Sequence, residues 1–346
     1  MPELPEVENA RRVLEAVGKG KMIQRVDSVK DDIVFCGTTH DEFAKELEGR
    51  MITGVQRYGK LFYMELDGEG RFPVLHFGMT GMIQIQGQEP FHYQSSSRKV
   101  SAQWPPNFLK FVLHLGTPDG EQIAVQVAFC DARRLGRIRL VSSPMTSPPI
   151  SELGFDPILS MPALSEFSSK VLRRSCPIKA LLLDQGFSAG VGNWVADEIL
   201  YHSRIHPEQR CHTLSELQLE RLHTHTRQVC RVAVDADADH TKFPADWLFI
   251  HRWGKGKKTG AKSSLKLPSG DPATIKWVTV GGRTSAYVAE LQQLPCELDN
   301  IEDNQGESDL TPLSEDELFS VTSTWKPRKS RKRNPEDSTQ RTARKR

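Results

Sequence analysis

Residues 178–198 read IKALLLDQGFSAGVGNWVADE, and this stretch decides how the second half of the chain is organised. Apolar residues at helical spacing predict one helix over 178–185 and another over 194–202, with a glycine-rich connection between them. The same periodicity predicts helices over 163–172 and 214–234. The stretch therefore belongs to a helical domain, which begins after the Pro- and Ser-rich segment SSPMTSPPIS near residue 150.

The glycines of this stretch predict an anion site. Gly190 and Gly192 allow backbone N–H groups to approach a phosphate, and Asn193 stands where the second helix begins. Lys179 adds a positive charge to the same region. Taken alone, a G-x-G-N pattern is weak because such glycines are usually turn residues, but the longer stretch favours phosphate binding.

The chain before residue 150 has a different pattern. Val7, Ala10, Leu14 and Val17 recur at helical spacing, and short β-rich runs separated by Gly, Asp and Pro follow from about residue 22 to 145. Such runs predict antiparallel strands in a sandwich or barrel.

We therefore predict an α+β fold in which a leading helix and a β-sandwich precede the helical domain. Two β-like runs joined by Gly281-Gly282 predict a hairpin after that domain. The predicted parts are a sandwich domain over 1–145, a helix–two-turn–helix domain over 150–242, a hairpin region over 243–292 and a disordered tail over 293–346.

The charge of the chain is segregated at its C-terminal end. The whole chain of 346 residues has a net charge of only +2. Residues 297–317 hold nine acidic and no basic side chains, whereas residues 326–346 hold ten basic and two acidic ones. Nucleic-acid binding by the folded part would therefore need a localised basic face. No apolar run is long enough to span a membrane, and we expect no membrane partner.

The six cysteines predict neither a disulfide framework nor a metal site. They stand at positions 36, 130, 176, 211, 230 and 296, and no two form a C-x-x-C pair. Zinc sites need paired ligands at short spacing, and disulfide frameworks occur mainly in secreted chains. We interpret these residues as packing or surface thiols and expect no structural zinc.

Pro2 is the most informative residue for chemistry. Removal of Met1 would expose a secondary amine, which attacks an electrophilic sugar carbon when it is unprotonated. Glu3 and Glu6 fit two further needs, an acid for a departing or ring-opening oxygen and a carboxylate that orders the helix start. The alternative is that Pro2 and Pro5 are helix N-terminal prolines and the glutamates merely first-turn acids.

The order of several motifs resembles the formamidopyrimidine-DNA glycosylases, the family that includes endonuclease VIII. The start MPELPEVENARR is similar to the opening of the formamidopyrimidine branch. The likeness continues in order through GK, HFGMTG, DARRLG, the stretch over 178–198 and GGRTSAYV at 281–288. Six ordered blocks across nearly 290 residues are far more specific than any one of them.

The resemblance implies a bifunctional enzyme that excises oxidised purines and nicks the abasic site, with damaged double-stranded DNA as its partner. In this interpretation Pro2 is the nucleophile, Glu3 acts as acid and base on the sugar oxygen, Glu6 belongs to the same site and Lys60 assists. Without the resemblance, Lys60 would be interpreted as an edge-strand lysine in water.

The resemblance also implies a set of DNA contacts. Met79 would fill the gap left by the flipped base, Arg133 would reach the orphaned base, Arg134 would contact the backbone and Leu135 would wedge between base steps. Bacterial members commonly have Phe at the position of Leu135. This departure concerns the search for lesions and not the chemistry. The remaining implied contacts are those of Lys179, Asn193 and Arg283.

The hairpin region departs from the bacterial pattern of a four-cysteine zinc finger. It resembles the zincless finger of plant and fungal members, with Arg283 near its tip, so we expect no metal and no organic cofactor. Residues 234–247 look too short and acidic for the loop that caps 8-oxoguanine, and we expect 8-oxoguanine to be a poorer substrate than formamidopyrimidines and hydantoins. Lys255, Lys257 and Lys258 could contact DNA or be solvated.

The basic tail predicts nuclear localisation, through import machinery or as a DNA tether. We expect a monomer. Two rival functions stay open at this point. One is a non-catalytic damaged-DNA binder with the same fold, and the other is a chromatin or scaffold protein that acts through its tail.

Overall fold

A computed structural model describes residues 2–89, 103–117, 123–254 and 265–295 of the chain. The predicted tail from residue 296 onward and the lysines at 255–258 lie outside these residues. The helices are α1 (Leu4–Gly18), α2 (His40–Leu47), α3 (Leu164–Leu172), α4 (Ile178–Leu183), α5 (Asn193–Ser203) and α6 (Glu216–Asp235). The strands are β1 (Met22–Ser28), β2 (Ile52–Tyr58), β3 (Leu61–Leu66), β4 (Phe72–His76), β5 (Met82–Ile85), β6 (Leu109–Gly116), β7 (Ile123–Cys130), β8 (Arg137–Val141), β9 (Ile275–Val280) and β10 (Arg283–Val288).

The first eight strands form two antiparallel four-stranded sheets. One sheet has the order β1-β6-β7-β5 and the other the order β2-β3-β4-β8. Buried aromatic side chains, among them Phe62, Phe77, Phe111 and Phe129, fill the space between the sheets. The predicted α+β fold with an N-terminal β-sandwich is therefore confirmed.

Helix α2 was not expected in this part of the chain. Its start is a capping box, in which the Glu42 N–H donates to Thr39 Oγ1 at 3.1 Å and the Thr39 N–H donates to Glu42 Oε2 at 2.8 Å. Phe43 and Leu47 are its buried residues. The T-x-x-E signature was present in the sequence and could have predicted this helix.

Helices α3 to α6 form a second lobe with its own apolar core. The core includes Phe167 of α3, Leu181 of α4, Ile199 of α5 and Leu222 of α6. Ser215 caps α6 by accepting from the Gln218 N–H at 3.3 Å. Among the described residues, no helix is long and apolar enough to cross a bilayer.

Helix α1 belongs to both lobes. Leu4, in its first turn, lies in the core of the helical lobe, whereas Val7, Ala10 and Leu14 lie in the core of the sandwich. The Leu4 N–H also donates to the carbonyl oxygen of Gly190 at 3.0 Å. The N-terminus is therefore held at the junction of the two lobes.

Strands β9 and β10 form the predicted hairpin. Arg283 pairs with Val280 across a turn made by Gly281 and Gly282, whose φ angles are +57° and +70°. Two consecutive left-handed residues give the turn that suits the twist of a two-residue hairpin, and glycine adopts it without strain. A small apolar cluster that includes Tyr201 and Ala286 joins the hairpin to α5.

Candidate active site and nucleic-acid interface

Glu3 places its carboxylate at the N-terminal end of α5. The backbone N–H groups of Trp194 and Val195 donate to Glu3 Oε1 and Oε2 at 3.0 and 3.1 Å. These N–H groups lie in the first turn of α5, where no intrahelical acceptor is available to them. The Glu3 side chain thus caps a helix that follows it by about 190 positions, and only 2% of the residue is exposed.

Three glycines make room for this arrangement. A Cβ atom at Gly192 would lie 2.2 Å from Glu3 Cδ, and one at Gly190 would lie 2.9 Å from the side chain of Leu4. A Cβ at Gly59 would lie 2.9 Å from the Ala189 side chain. The Glu3 side chain therefore occupies the N–H groups of Trp194 and Val195 at this helix terminus, and the phosphate site predicted for Gly190 and Gly192 stays a prediction.

Glu6 completes the same cluster. Its Oε2 accepts from the Glu3 N–H at 2.9 Å, and its Oε1 accepts from the Trp194 indole N–H at 3.1 Å. Burial, together with the neighbouring Glu3 charge, raises the pKa of Glu6 to about 8. Glu6 therefore holds a proton at neutral pH and fixes both the start of α1 and the ring of Trp194.

The pKa of Glu3 is also raised. Burial is the main cause, and the nearby Lys60 charge and the two hydrogen bonds from α5 act in the opposite direction. A raised pKa favours the protonated form of a carboxyl group, which is the form that a general acid requires. Glu3 is therefore suited to give a proton to a leaving oxygen and to take one back.

Lys60 lies at the turn between β2 and β3 and is buried. The turn is fastened to the helical lobe, since the Gly59 N–H donates to Asp156 Oδ2 at 2.9 Å and the Arg57 guanidinium pairs with the same carboxylate. Pro2 is buried in the same region, directly before Glu3. The structure thus brings together Pro2, Glu3, Glu6 and Lys60, the four residues predicted for catalysis.

Lys179 does not have the position that was expected. Its side chain is fully buried, and its ammonium donates to Asp197 and, at 3.0 Å, to the carbonyl oxygen of Asn193. Burial lowers the pKa of Lys179, and the Asp197 carboxylate opposes that effect. The prediction of a phosphate contact is corrected here, because this ammonium is enclosed by protein.

Asp197 is a functional candidate that the sequence analysis missed. Besides Lys179, its carboxylate accepts from Arg252 Nη2 at 2.5 Å and from the Ala286 N–H at 3.1 Å. Asp197 therefore connects α4, α5, the segment after α6 and the hairpin. No local pattern revealed this role, since the partners lie between 18 and 89 positions away.

Two loops of the sandwich present the residues predicted to enter DNA. Arg133 Nη1 lies 3.2 Å from the thioether sulfur of Met79. Asp131, which is buried, holds both loops by accepting from the Thr80 hydroxyl at 2.5 Å and from the Arg133 N–H at 3.1 Å. A Cβ at Gly78 would lie 2.3 Å from the backbone of Leu135, so the loops touch.

Arg134 lies beside these residues with its guanidinium already paired. Its Nη2 and Nε donate to Asp31 at 2.9 and 3.0 Å. Although partial burial works against it, the hydrogen bonds from Arg134 and Lys110 hold the pKa of Asp31 well below its usual range. A contact from Arg134 to a DNA phosphate would therefore compete with this ion pair.

The hairpin approaches the same end of α5. The Asn193 amide N–H donates to the carbonyl oxygen of Thr284 at 3.0 Å, next to Arg283. The Asn193 Oδ1 atom is buried and has no hydrogen-bond partner among the described residues. Arg283 and Asn193 thus lie on one side of α5, while Met79, Arg133 and Leu135 extend from the other lobe.

The donor set for a zinc finger is missing from the hairpin region. Residues 243–292 contain no cysteine and one histidine, His251. Within the described part of the chain, no group of three or more His, Cys, Asp or Glu side chains could hold a metal ion. These residues do not fit the tetrahedral sulfur and nitrogen coordination that structural zinc requires.

Comparisons with known proteins agree with this geometry. The family model "Formamidopyrimidine-DNA glycosylase N-terminal domain" matches residues 1–138, and "Formamidopyrimidine-DNA glycosylase H2TH domain" matches residues 153–245. The formamidopyrimidine-DNA glycosylase of Arabidopsis thaliana is 42% identical over 294 residues, which cover 85% of this chain and 71% of the relative. That of Thermomicrobium roseum is 30% identical and covers 85% of this chain and 100% of the relative.

Solved structures share the fold. A Lactococcus lactis Fpg mutant in complex with a Fapy-dG containing DNA matches with a TM-score of 0.66 and 25% identity, covering 84% of this chain and 100% of the other. The Lactococcus lactis enzyme non-covalently bound to AP-site DNA matches with a TM-score of 0.65 and 24% identity, covering 84% and 99%.

Proposed function

The chain belongs to the formamidopyrimidine-DNA glycosylase family, and from this premise we propose that it is a DNA glycosylase that removes oxidised bases from damaged double-stranded DNA in base excision repair. We further propose that it is bifunctional and nicks the abasic site. The observation that carries the proposal is the position of Glu3, a buried carboxyl group with a raised pKa that α5 holds directly beside Pro2.

The proposed reaction begins at the amine of Pro2 after removal of Met1. The nitrogen lone pair attacks C1′ of the flipped nucleotide, the bond between C1′ and the base breaks with its electron pair going to the base, and the base takes up the proton that the Pro2 nitrogen loses. Glu3 protonates O4′ as the sugar ring opens, and an iminium ion forms between Pro2 and C1′. This ion acidifies the C2′ hydrogens, so loss of one proton expels the 3′ phosphate.

The surrounding residues have supporting roles in this proposal. Glu6, with a pKa of about 8, keeps the start of α1 and the Trp194 ring in place without adding a second negative charge. Lys60 is buried close enough for its charge to act on Glu3, and it would assist proton delivery or hold the phosphate of the lesion. No metal or organic cofactor takes part.

We propose that DNA lies between the two lobes. Met79, Arg133 and Leu135 would enter the duplex from the sandwich, and Asn193 and Arg283 would contact the backbone from the helical side. Filling the space of a flipped base offsets part of the unstacking cost. Arg134 would contact the DNA backbone only after its hydrogen bonds to Asp31 break.

Borohydride trapping tests the amine directly. Full-length protein with a native N-terminus, mixed with duplex DNA that contains a formamidopyrimidine, should form a covalent adduct because borohydride reduces the iminium ion. Two tagged forms serve as matched controls, one with a short peptide tag before Met1 and one with the same tag after Arg346. Only the N-terminal tag should abolish trapping, and equal trapping by both forms would contradict the role of Pro2.

The same assay separates the enzyme from its rivals. A non-catalytic damaged-DNA binder would retain the duplex without forming an adduct at any borohydride concentration. A scaffold that acts through its tail would lose function in a chain of residues 1–295. We expect that shortened chain, which contains both lobes and the hairpin, to excise bases at an undiminished rate once bound.

We propose formamidopyrimidines and hydantoins as preferred lesions, with 8-oxoguanine as a poorer substrate. The segment after α6 supports this proposal, because its residue Asp237 is tied to α1: Asn9 donates to the carbonyl oxygen of Asp237 at 2.6 Å, and Arg12 donates to Asp237 Oδ1 at 3.2 Å. A segment held in this way is not available to close over a flipped base. Equal excision rates for 8-oxoguanine and a formamidopyrimidine in the same duplex would contradict it.

For the tail we propose nuclear import or DNA tethering by residues 326–346. Ten basic side chains in this segment support the proposal. A fluorescent fusion that lacks 326–346 should lose nuclear accumulation. A fusion that lacks the acidic segment 297–317 should keep it, and unchanged accumulation of the first fusion would refute the import role.

A further inference from the structure

Cys176 and Cys211 lie directly opposite each other, although the sequence separates them by the whole helix–two-turn–helix element. Pro177 and Arg210 form an antiparallel bridge. The Cys211 N–H donates to the Cys176 carbonyl oxygen at 3.0 Å, and the Ile178 N–H donates to the Gln209 carbonyl oxygen at 2.9 Å. In this pattern the two cysteines are the adjacent opposed pair, so their side chains extend to the same face.

The distance between these positions suits a covalent link. Opposed residues at a hydrogen-bonded antiparallel position have Cα atoms about 5.5 Å apart, and disulfides join Cα atoms about 4.4–6.8 Å apart. Both thiols are free in the structure and near enough to hydrogen-bond each other. At that typical separation a disulfide can form without backbone movement.

We propose that Cys176 and Cys211 form a reversible disulfide when the protein meets a peroxide. Cys176 is the residue that a peroxide reaches first, because it is 8% exposed whereas Cys211 is fully buried. Cys211 then acts as the resolving thiol. The site is a redox modification site that lies outside the catalytic cluster.

The chemistry balances with one peroxide molecule for each disulfide. The Cys176 thiolate attacks a peroxide oxygen, the O–O bond breaks, and Cys176 sulfenic acid and one water form after proton uptake. The Cys211 sulfur attacks the sulfenic sulfur, loses its proton and releases a second water. Two thiols and one hydrogen peroxide thus give one disulfide and two waters.

The electrostatics favour Cys176 as the attacking thiol. The hydrogen bond from Cys211 lowers the pKa of the Cys176 thiol to about 7, and the charge of Arg174 acts in the same direction. The pKa of Cys211 is raised, with its interaction with Cys176 as the largest cause and burial as the next. One thiol of the pair is therefore partly ionised near neutral pH while the other keeps its proton.

The disulfide would enclose the element that holds the catalytic acid. The closed loop runs from 176 to 211 and contains α4, the glycine-rich connection and α5, whose first turn binds Glu3. Closing a loop of about 35 residues stabilises the folded state, and for a protein of this size it should raise the Tm by roughly 5–15 °C. Oxidation should therefore protect the site against heat without altering its geometry.

Peptide mapping of the full chain tests the proposal. The protein is treated with hydrogen peroxide, its remaining thiols are alkylated, and it is digested with trypsin without reduction. Trypsin cuts after Arg174, Lys179, Arg210 and Arg221, which releases SCPIK with Cys176 and CHTLSELQLER with Cys211. We expect a linked pair of these peptides, two hydrogens lighter than their sum, which dithiothreitol separates.

Variants and a melting curve complete the test. Cys176→Ser and Cys211→Ser should each abolish the linked peptides and the rise in Tm, whereas Cys36→Ser, which changes a thiol elsewhere, should keep both. Recovery of Cys176 as sulfinic acid without linked peptides in the wild-type chain would overturn the proposal, and so would alkylation of both thiols after peroxide treatment. The wild-type measurement decides the matter even if a serine variant does not fold.

Discussion

Asp197→Asn should destabilise the protein strongly and in a pH-dependent way. In the structure Asp197 accepts from two buried cations, Lys179 with a fully buried side chain and Arg252 with 7% of its side chain exposed. Asparagine keeps the shape of the side chain but removes the negative charge. It also places an amide NH2 group against donors that all need an acceptor, including the Ala286 N–H.

The size of the effect follows from this burial. Removing one partner of a buried ion pair typically costs about 3–5 kcal/mol, because the remaining charge has neither water nor a counter-ion. The total stability of a folded domain is about 5–15 kcal/mol, so a large share would be lost. At 2–4 °C per kcal/mol, the Tm should fall by roughly 6–20 °C.

The pH dependence distinguishes electrostatics from lost packing. Burial already lowers the pKa of Lys179 in the folded state, and loss of Asp197 should lower it further. A base with a depressed folded-state pKa gives its full stability only above its unfolded pKa, and that stability is lost as the pH falls. The deficit of the variant should therefore be smaller at pH 10 than at pH 7.

Urea unfolding followed by tryptophan fluorescence at both pH values measures this deficit. Glu166→Gln is the matched control, since it removes a carboxylate from an exposed pair with Lys170 on α3 and should change stability by at most about 0.5 kcal/mol. A deficit below about 1 kcal/mol for Asp197→Asn at pH 7 would refute the reasoning. A deficit of equal size at both pH values would show that packing, and not charge, is responsible.

Three further predictions concern the catalytic cluster and the DNA-facing loops. Gly192→Ala should reduce borohydride trapping at least tenfold, because the new Cβ would displace the Glu3 carboxylate; undiminished trapping would contradict this. Glu6 has a folded-state pKa of about 8, above the ordinary value of 4.5, so the stability of the wild-type protein should fall as the pH rises between these values. Urea midpoints measured at pH 5 and pH 8 record this fall, and Glu6→Gln should lessen it. Gly78→Ala, at φ +57°, should separate the Met79 and Leu135 loops and weaken binding to lesion DNA in a fluorescence anisotropy titration. Gly68 is also left-handed but lies in open space, so Gly68→Ala should leave DNA binding unchanged.

Much of the fold was predictable because local patterns dominate it. The hairpin follows from two glycines that adopt left-handed φ between β-prone runs, and the helices of the second lobe follow from apolar spacing. Helix α2 was missed because it is short and lies among strands, although Thr39 and Glu42 mark its start. Local signals were therefore sufficient for most elements but were overlooked for this one.

The residues of the catalytic site were predictable from the sequence, but their hydrogen-bond partners were not. Pro2, Glu3, Glu6 and Lys60 do come together, but the sequence gives no sign that Glu3 accepts from Trp194 or that Lys179 faces Asp197. A glycine that leaves room for a phosphate and one that leaves room for a carboxylate are identical in sequence. Only the tertiary arrangement decides which anion occupies the end of a helix.

The packing of α1 into both lobes affects how the protein folds and where it can be tagged. Because the first turn of this helix is embedded in one apolar core and the following turns in the other, the reacting nitrogen reaches its position only after both lobes have folded around the same short segment. Immature or half-folded chains should thus be chemically silent toward abasic sugars. Reporter fusions, affinity handles and surface immobilisation therefore belong at the opposite terminus.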